Sequence, residues 1–70
     1  MNCVARYIER QKITHRELAD RVGVSQPTVS DWVNGKKAPS RDSLPRLSAE
    51  LGMRPSRILA DFYDASAAAR

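Results

Sequence analysis

An all-α domain of five short helices is the fold this 70-residue sequence predicts, and three observations predict it. Apolar residues recur at i, i+3 and i+4, the period of a helix, and nowhere alternate with the period of two that marks a strand. β-Branched residues are scattered rather than clustered. Helix-starting side chains at Asn2, Thr14 and Ser25 are answered by helix-stopping glycines at Gly23, Gly35 and Gly52. The length allows one domain with a thin core, burying about 60% of its unfolded surface. We expect that domain to span residues 1–64, followed by a flexible tail at 65–70, where "ASAAAR" either frays or prolongs the last helix.

The first helix is expected over residues 2–11, with Asn2 as N-cap and Val4, Tyr7 and Ile8 as its inner stripe. "QKI" breaks it, and Ile13 anchors the connection. In "THRE", Thr14 and Glu17 have the spacing of a capping box, and Glu17 with Arg21 is an i,i+4 ion pair in the favourable order. Leu18, Ala19 and Val22 form the inner face of this second helix, and Gly23 supplies the left-handed conformation that ends it. One residue later Ser25 caps a third helix over residues 26–34. Pro27 lies in its first turn, where the missing N–H costs nothing. Gly35 ends it. After the loop "KKAPS", a cap at Asp42 or Ser43 keeps Pro45 within the first turn of a fourth helix carrying Leu44, Leu47 and Leu51 and closed by Gly52. Pro55 marks the start of a fifth, with Ile58, Leu59 and Phe62 or Tyr63 inward.

Composition narrows the function. Twelve Lys and Arg against eight Asp and Glu give a net charge of +4 and a sequence pI near 9.8. That balance favours polyanionic partners, nucleic acid before anionic membrane, although a mildly basic protein need have neither. The lone cysteine, Cys3, forbids an internal disulfide and reads as a small apolar residue. No apolar run approaches the roughly 18 residues of a membrane span, and no signal-peptide core is present, so the cytoplasm is the expected compartment. One histidine and one cysteine fall short of the about four ligands of a structural zinc site, so neither metal nor cofactor is expected. No nucleophile–base spacing, phosphate-cradling glycine loop or carboxylate pair suggests an enzyme.

Two helices joined by so short a turn must cross steeply, and Ala19 supplies the small side chain that close crossing requires. Val29 and Trp32, one turn apart, hold the second helix on the first; that spacing assigns Trp32 to the core rather than to base stacking. This is the layout of a helix-turn-helix, whose second helix enters the DNA major groove. "ITHRELADRVGVSQPTVSDWVNGKKAP" resembles the helix-turn-helix domains of phage lambda Cro and repressor type, the XRE family, through "LA", "VGVS", "VS.W", "NGK" and the following "P". "LSAELGM" is similar to the family's fourth helix, and the likeness covers about Ile13 to Leu59. It implies a five-helix bundle that binds operator DNA as a two-fold dimer. Members are mostly transcriptional repressors, and some are antitoxins that control their own operon.

The third helix opens with neutral hydrogen-bonding groups, which suits base edges offering donors and acceptors. Gln26 can bond adenine N6 and N7 in bidentate fashion, and Pro27 can touch a thymine methyl. The resemblance makes Ser30 and Asp31 the next groove-facing pair, while Thr28 reaches a base or a phosphate. Asp31 departs from expectation: it accepts from cytosine N4, excludes other operators, or pairs with a nearby arginine. Thr14 and His15 open the second helix, whose positive N-terminus suits a phosphate. In the family the residue at the His15 position bonds phosphate and buttresses the one matching Gln26. Asn34, Lys36 and Lys37 fall where the family's loop follows the sugar-phosphate chain, and Ser25, Arg16 and Arg41 are further backbone candidates. Ile58, Leu59, Phe62 and Tyr63 either form a homodimer contact or cap the core of one monomer. A competing use of that helix is an antitoxin-like grip on a toxin or other protein.

Overall fold

The computed structural model describes residues 2–68, with side chains as far as Tyr63. Five helices follow in order, α1 (Cys3–Gln11), α2 (His15–Val22), α3 (Gln26–Val33), α4 (Leu44–Leu51) and α5 (Pro55–Ala68), and no strand is found among the described residues. The expected boundary between domain and tail after residue 64 falls where side chains are not described. The backbone of α5 continues to Ala68, and residues 69–70 lie outside the described residues.

Local chemistry accounts for most of the helix ends. The Asn2 side chain accepts the Ala5 N–H at 2.9 Å, and the Thr14 hydroxyl accepts the Glu17 N–H at 3.0 Å. The Glu17 carboxylate reaches back to the Thr14 N–H at 3.1 Å, completing the capping box. Ser25 caps α3 by accepting the Thr28 N–H. The end of α1 is less obvious: Lys12, not a glycine, sits in the left-handed region at φ 56°. That conformation costs an L-residue about 1–2 kcal/mol. In return the Ile13 N–H reaches the Ile8 carbonyl at 3.2 Å and Ile13 packs against the core, the hydrophobic contact that accompanies such an ending. At α4 the cap position is Ser43, one of the two expected residues, yet its side chain makes no capping bond. The residue is only 6% exposed, and its hydroxyl donates to the Ser40 carbonyl within a turn that delivers the chain to Leu44.

Among the described residues, nine apolar ones form the buried core: Cys3 and Val4 from α1, Leu18, Ala19 and Val22 from α2, Val29 and Trp32 from α3, Leu47 from α4 and Ile58 from α5. Polar ties cross between helices around it. Tyr7 on α1 donates to the Glu50 carboxylate on α4 at 2.6 Å, and Arg21 on α2 donates to the same oxygen at 3.0 Å. Arg6 on α1 pairs with Asp61 on α5 at 3.2 Å. The expected Glu17–Arg21 pair is therefore replaced: capping occupies Glu17, and Glu50 across the helix interface takes Arg21.

The Tyr7 hydrogen bond holds Glu50 below the usual carboxylate range, helped by Arg21 and opposed by partial burial. The same hydrogen bond raises Tyr7 above the usual phenol range. A lowered carboxyl stabilises above its unfolded value of about 4.3 and loses that contribution as pH falls through the folded value. A raised phenol contributes below about pH 10 and is lost above it. Glu50→Gln is expected to cost about 1 kcal/mol at pH 7, with the gap to the natural protein closing below about pH 4. Chemical denaturation from pH 7 to pH 3 measures it; a gap that stays constant would show that the charge is not what counts.

Candidate nucleic-acid interface

The α2–α3 junction places the exposed side chains of α3. Gly23 adopts φ 82°, and its N–H and that of Val24 both return to the Ala19 carbonyl, at 2.8 and 3.0 Å. Val24 tucks against the core and Ser25 starts the next helix. A side chain at Gly23 would need an unfavourable left-handed backbone and would run into the Arg46 guanidinium, which lies over the turn. Because Val29 and Trp32 are buried, Gln26, Pro27 and Asn34 are exposed and Ser30 and Asp31 half-exposed. Their spacing of i, i+1, i+4, i+5 and i+8 puts all five on one face. Thr28 is half-buried beside them.

Several of these groups are already committed within the chain. The Ser25 and Thr28 hydroxyls share a hydrogen bond of 2.8 Å, which leaves one hydroxyl proton between them for a partner. The His15 Nδ1 stands 2.9 Å from the Ser30 hydroxyl. The family likeness implied a buttress at Gln26, but the imidazole is paired one turn further along α3. Asp31 lies 3.9 Å from the Lys37 ammonium, so its neighbour is a lysine, and among the described residues no arginine is found paired with it. With Lys37 three-quarters exposed, the pair is a loose one. It nevertheless reduces the repulsion that a bare carboxylate would feel beside phosphates.

The loop after α3 folds back on the helix. The Lys36 and Lys37 N–H groups both donate to the Asp31 carbonyl, at 2.9 and 3.4 Å, which sets the two lysines at the negative end of the helix. Thr14, Arg16, Ser25 and Arg41 are all exposed, and the Thr14 hydroxyl keeps its proton because capping uses only its lone pair. A tie absent from the sequence reading fixes α3 at its far end: the Asn2 amide nitrogen donates to the Trp32 carbonyl at 2.7 Å. Capping uses only the acceptor of that amide, so its donor was the sole hint, and no spacing connects residue 2 with residue 32.

The four proposed interface residues separate. Ile58 has no exposed surface and fills the core of its own monomer, and Phe62 leans on that core. Leu59 is half-buried, and Tyr63 is 55% exposed. Burial, reinforced by Asp61, pushes the Cys3 thiol up to about 11, which keeps it protonated and inert as a nucleophile. Among the described residues no group of three or more His, Cys, Asp or Glu could hold a metal ion, and no helix is long and apolar enough to cross a membrane.

Comparison with protein families gives one match, to the helix-turn-helix family over residues 4–58. No curated protein and no solved structure matches significantly. The matched span runs from the first buried valine of α1 to Ile58 of α5 and includes both α2 and α3.

The double duty of Asn2 is testable. Asn2→Asp keeps the capping acceptor but turns a carboxylate oxygen toward the Trp32 carbonyl, so a loss of about 1–3 kcal/mol is expected in thermal unfolding. Asp and Asn are nearly equal as caps. A neutral substitution would mean that only capping matters at this position.

Proposed function

Because the chain belongs to the helix-turn-helix family of Cro/repressor (XRE) type, whose members are DNA-binding transcription regulators, we propose that it is a cytoplasmic repressor binding a palindromic operator as a homodimer. In this reading α3 lies in the major groove. One observation supports it above the others: α3 hides Val29 and Trp32 and turns a strip of polar side chains outward from a basic protein. A helix serving only the core would not need amide and hydroxyl groups along its outer edge.

Gln26 reads adenine through both edges of its amide, and Pro27 lies against a thymine methyl. Ser30 and Asp31 meet the next base pairs, Asp31 accepting from cytosine N4 while Lys37 shields it, and Thr28 serves a base or a phosphate. Thr14, His15, Arg16 and Ser25 on one side, with Asn34, Lys36, Lys37 and Arg41 on the other, hold the sugar-phosphate chains. The contact between two copies falls to Leu59 and Tyr63 with the outer edge of Phe62, since Ile58 is enclosed. Two copies so joined would address half-sites about 34 Å apart. No catalytic step is part of this function.

Binding to selected and random duplexes at several salt concentrations tests the groove assignment. Gln26→Ala should relax discrimination at one base pair by about 1–3 kcal/mol. Lys36→Ala should weaken all sequences alike and reduce the salt slope by about one. Equal weakening of operator and random DNA by both changes would exclude base reading by Gln26. Sedimentation at rising concentration tests the partner surface: the species should grow from 7.8 kDa to twice that mass, and Tyr63→Asp should hold it at the monomer. A monomer at every concentration, with and without operator, would refute the dimer.

A further inference from the structure

His15 is the first residue of α2, Ser30 lies midway along α3, and their side chains meet at 2.9 Å across the seam between the two helices. Both are half-buried, so the contact is not a loose surface approach. A serine hydroxyl in the major groove is ordinarily an undiscriminating reader, because it rotates to donate to one base or accept from another. Fixing its proton would make it selective.

We propose that His15 fixes that proton and thereby sets the base Ser30 selects, so that Ser30 faces the groove as an acceptor only and prefers a base presenting an amino group, adenine N6 or cytosine N4. The inference rests on the reading that α3 occupies the major groove.

A neutral imidazole has one N–H and one bare nitrogen. If Nδ1 is bare, Ser30 gives it the hydroxyl proton, and only oxygen lone pairs remain for the duplex. If Nδ1 carries the proton, Ser30 keeps its own and can donate to guanine O6 or N7, to adenine N7 or to thymine O4, so cytosine is the base that only the accepting serine selects. The other ring nitrogen decides between these. With Nδ1 taken by Ser30, Nε2 is the ring nitrogen left for another partner, and His15 opens α2, where a DNA phosphate is the expected neighbour. A phosphate oxygen only accepts, so in the neutral ring Nε2 holds the proton and Nδ1 is bare, whereas a doubly protonated ring would donate to Ser30 instead. The backbone contact thus dictates the polarity of a base contact one hydrogen bond further on. His15 is a positioning residue, acting on the base through Ser30.

The test is selection of bound duplexes from a random pool by the natural protein, Ser30→Ala, His15→Ala and the double variant. The position read by Ser30 is the one whose preference Ser30→Ala abolishes. There the natural protein should favour an amino-bearing base by about five-fold or more. His15→Ala should flatten that position while the preference set by Gln26 persists, and in the Ser30→Ala background it should change nothing further there. His15→Asn, whose amide can turn either edge to Ser30, should flatten it too, which separates lost polarity from lost bulk.

Three results would overturn the proposal: uniform weakening by His15→Ala with the preference intact, a natural preference for guanine or thymine at that position, or a Ser30→Ala variant that changes the preference at no position. If Gln26→Ala also leaves every preference unchanged, the groove reading itself has failed, and this inference falls with it.

Discussion

Burial of Trp32 sets the rotation of α3 and, through it, which of that helix's side chains face outward. The indole is 1% exposed and is the largest side chain fully enclosed in a core of nine residues. Truncating a buried residue of this kind costs about 3–5 kcal/mol, a large part of the 5–15 kcal/mol that holds a whole domain together. Successive residues of a helix are about 100° apart. Rotating α3 by one position would therefore expose the indole and turn Gln26 away from its present direction. Hiding Trp32 and Val29 on one side and presenting Gln26, Pro27, Ser30 and Asp31 on the other are a single geometric choice.

So small a core cannot fix helix angles unaided, and polar ties at its edge supply the remainder. Asn2 holds the last turn of α3 through the Trp32 carbonyl, and Glu50 gathers Tyr7 and Arg21 so that α1, α2 and α4 share one carboxylate oxygen. Arg6 and Asp61 bring α5 to α1. Each bond is partly solvated and contributes modestly by itself. Their value lies in direction: a hydrogen bond fails when its angle changes, whereas apolar contact tolerates sliding. A helix that must present side chains to another molecule benefits from such restraints at both ends.

What the sequence made legible was the part governed by neighbours along the chain. Asn2, Thr14 with Glu17, and Ser25 cap helices because a short side chain reaches a backbone N–H two or three residues ahead, and Gly23 and Gly52 end them because left-handed backbone suits glycine. Pairings between helices were not legible. Arg21 had a plausible partner at Glu17 and took Glu50 instead, a choice that depends on where α4 packs. His15 pairs with Ser30 rather than Gln26 because the packing of the two helices brings the middle of α3 to the head of α2. Lys12 in left-handed backbone carries no local signal, since the advantage comes from placing Ile13 on the core. At the site the polar edge of α3 was readable from periodicity, but which of its hydroxyls were already engaged was not.

Mapping backbone amide chemical shifts as a selected duplex is titrated into the labelled protein shows whether this edge of α3 is where the protein meets DNA. The largest changes should fall from Ser25 to Asp31, with further changes at the head of α2 and through Asn34 to Lys37, while the amides around Tyr7 and Glu50 hold still. Changes centred on the exposed face of α5, with the amides of α3 unmoved at saturating duplex, would contradict it.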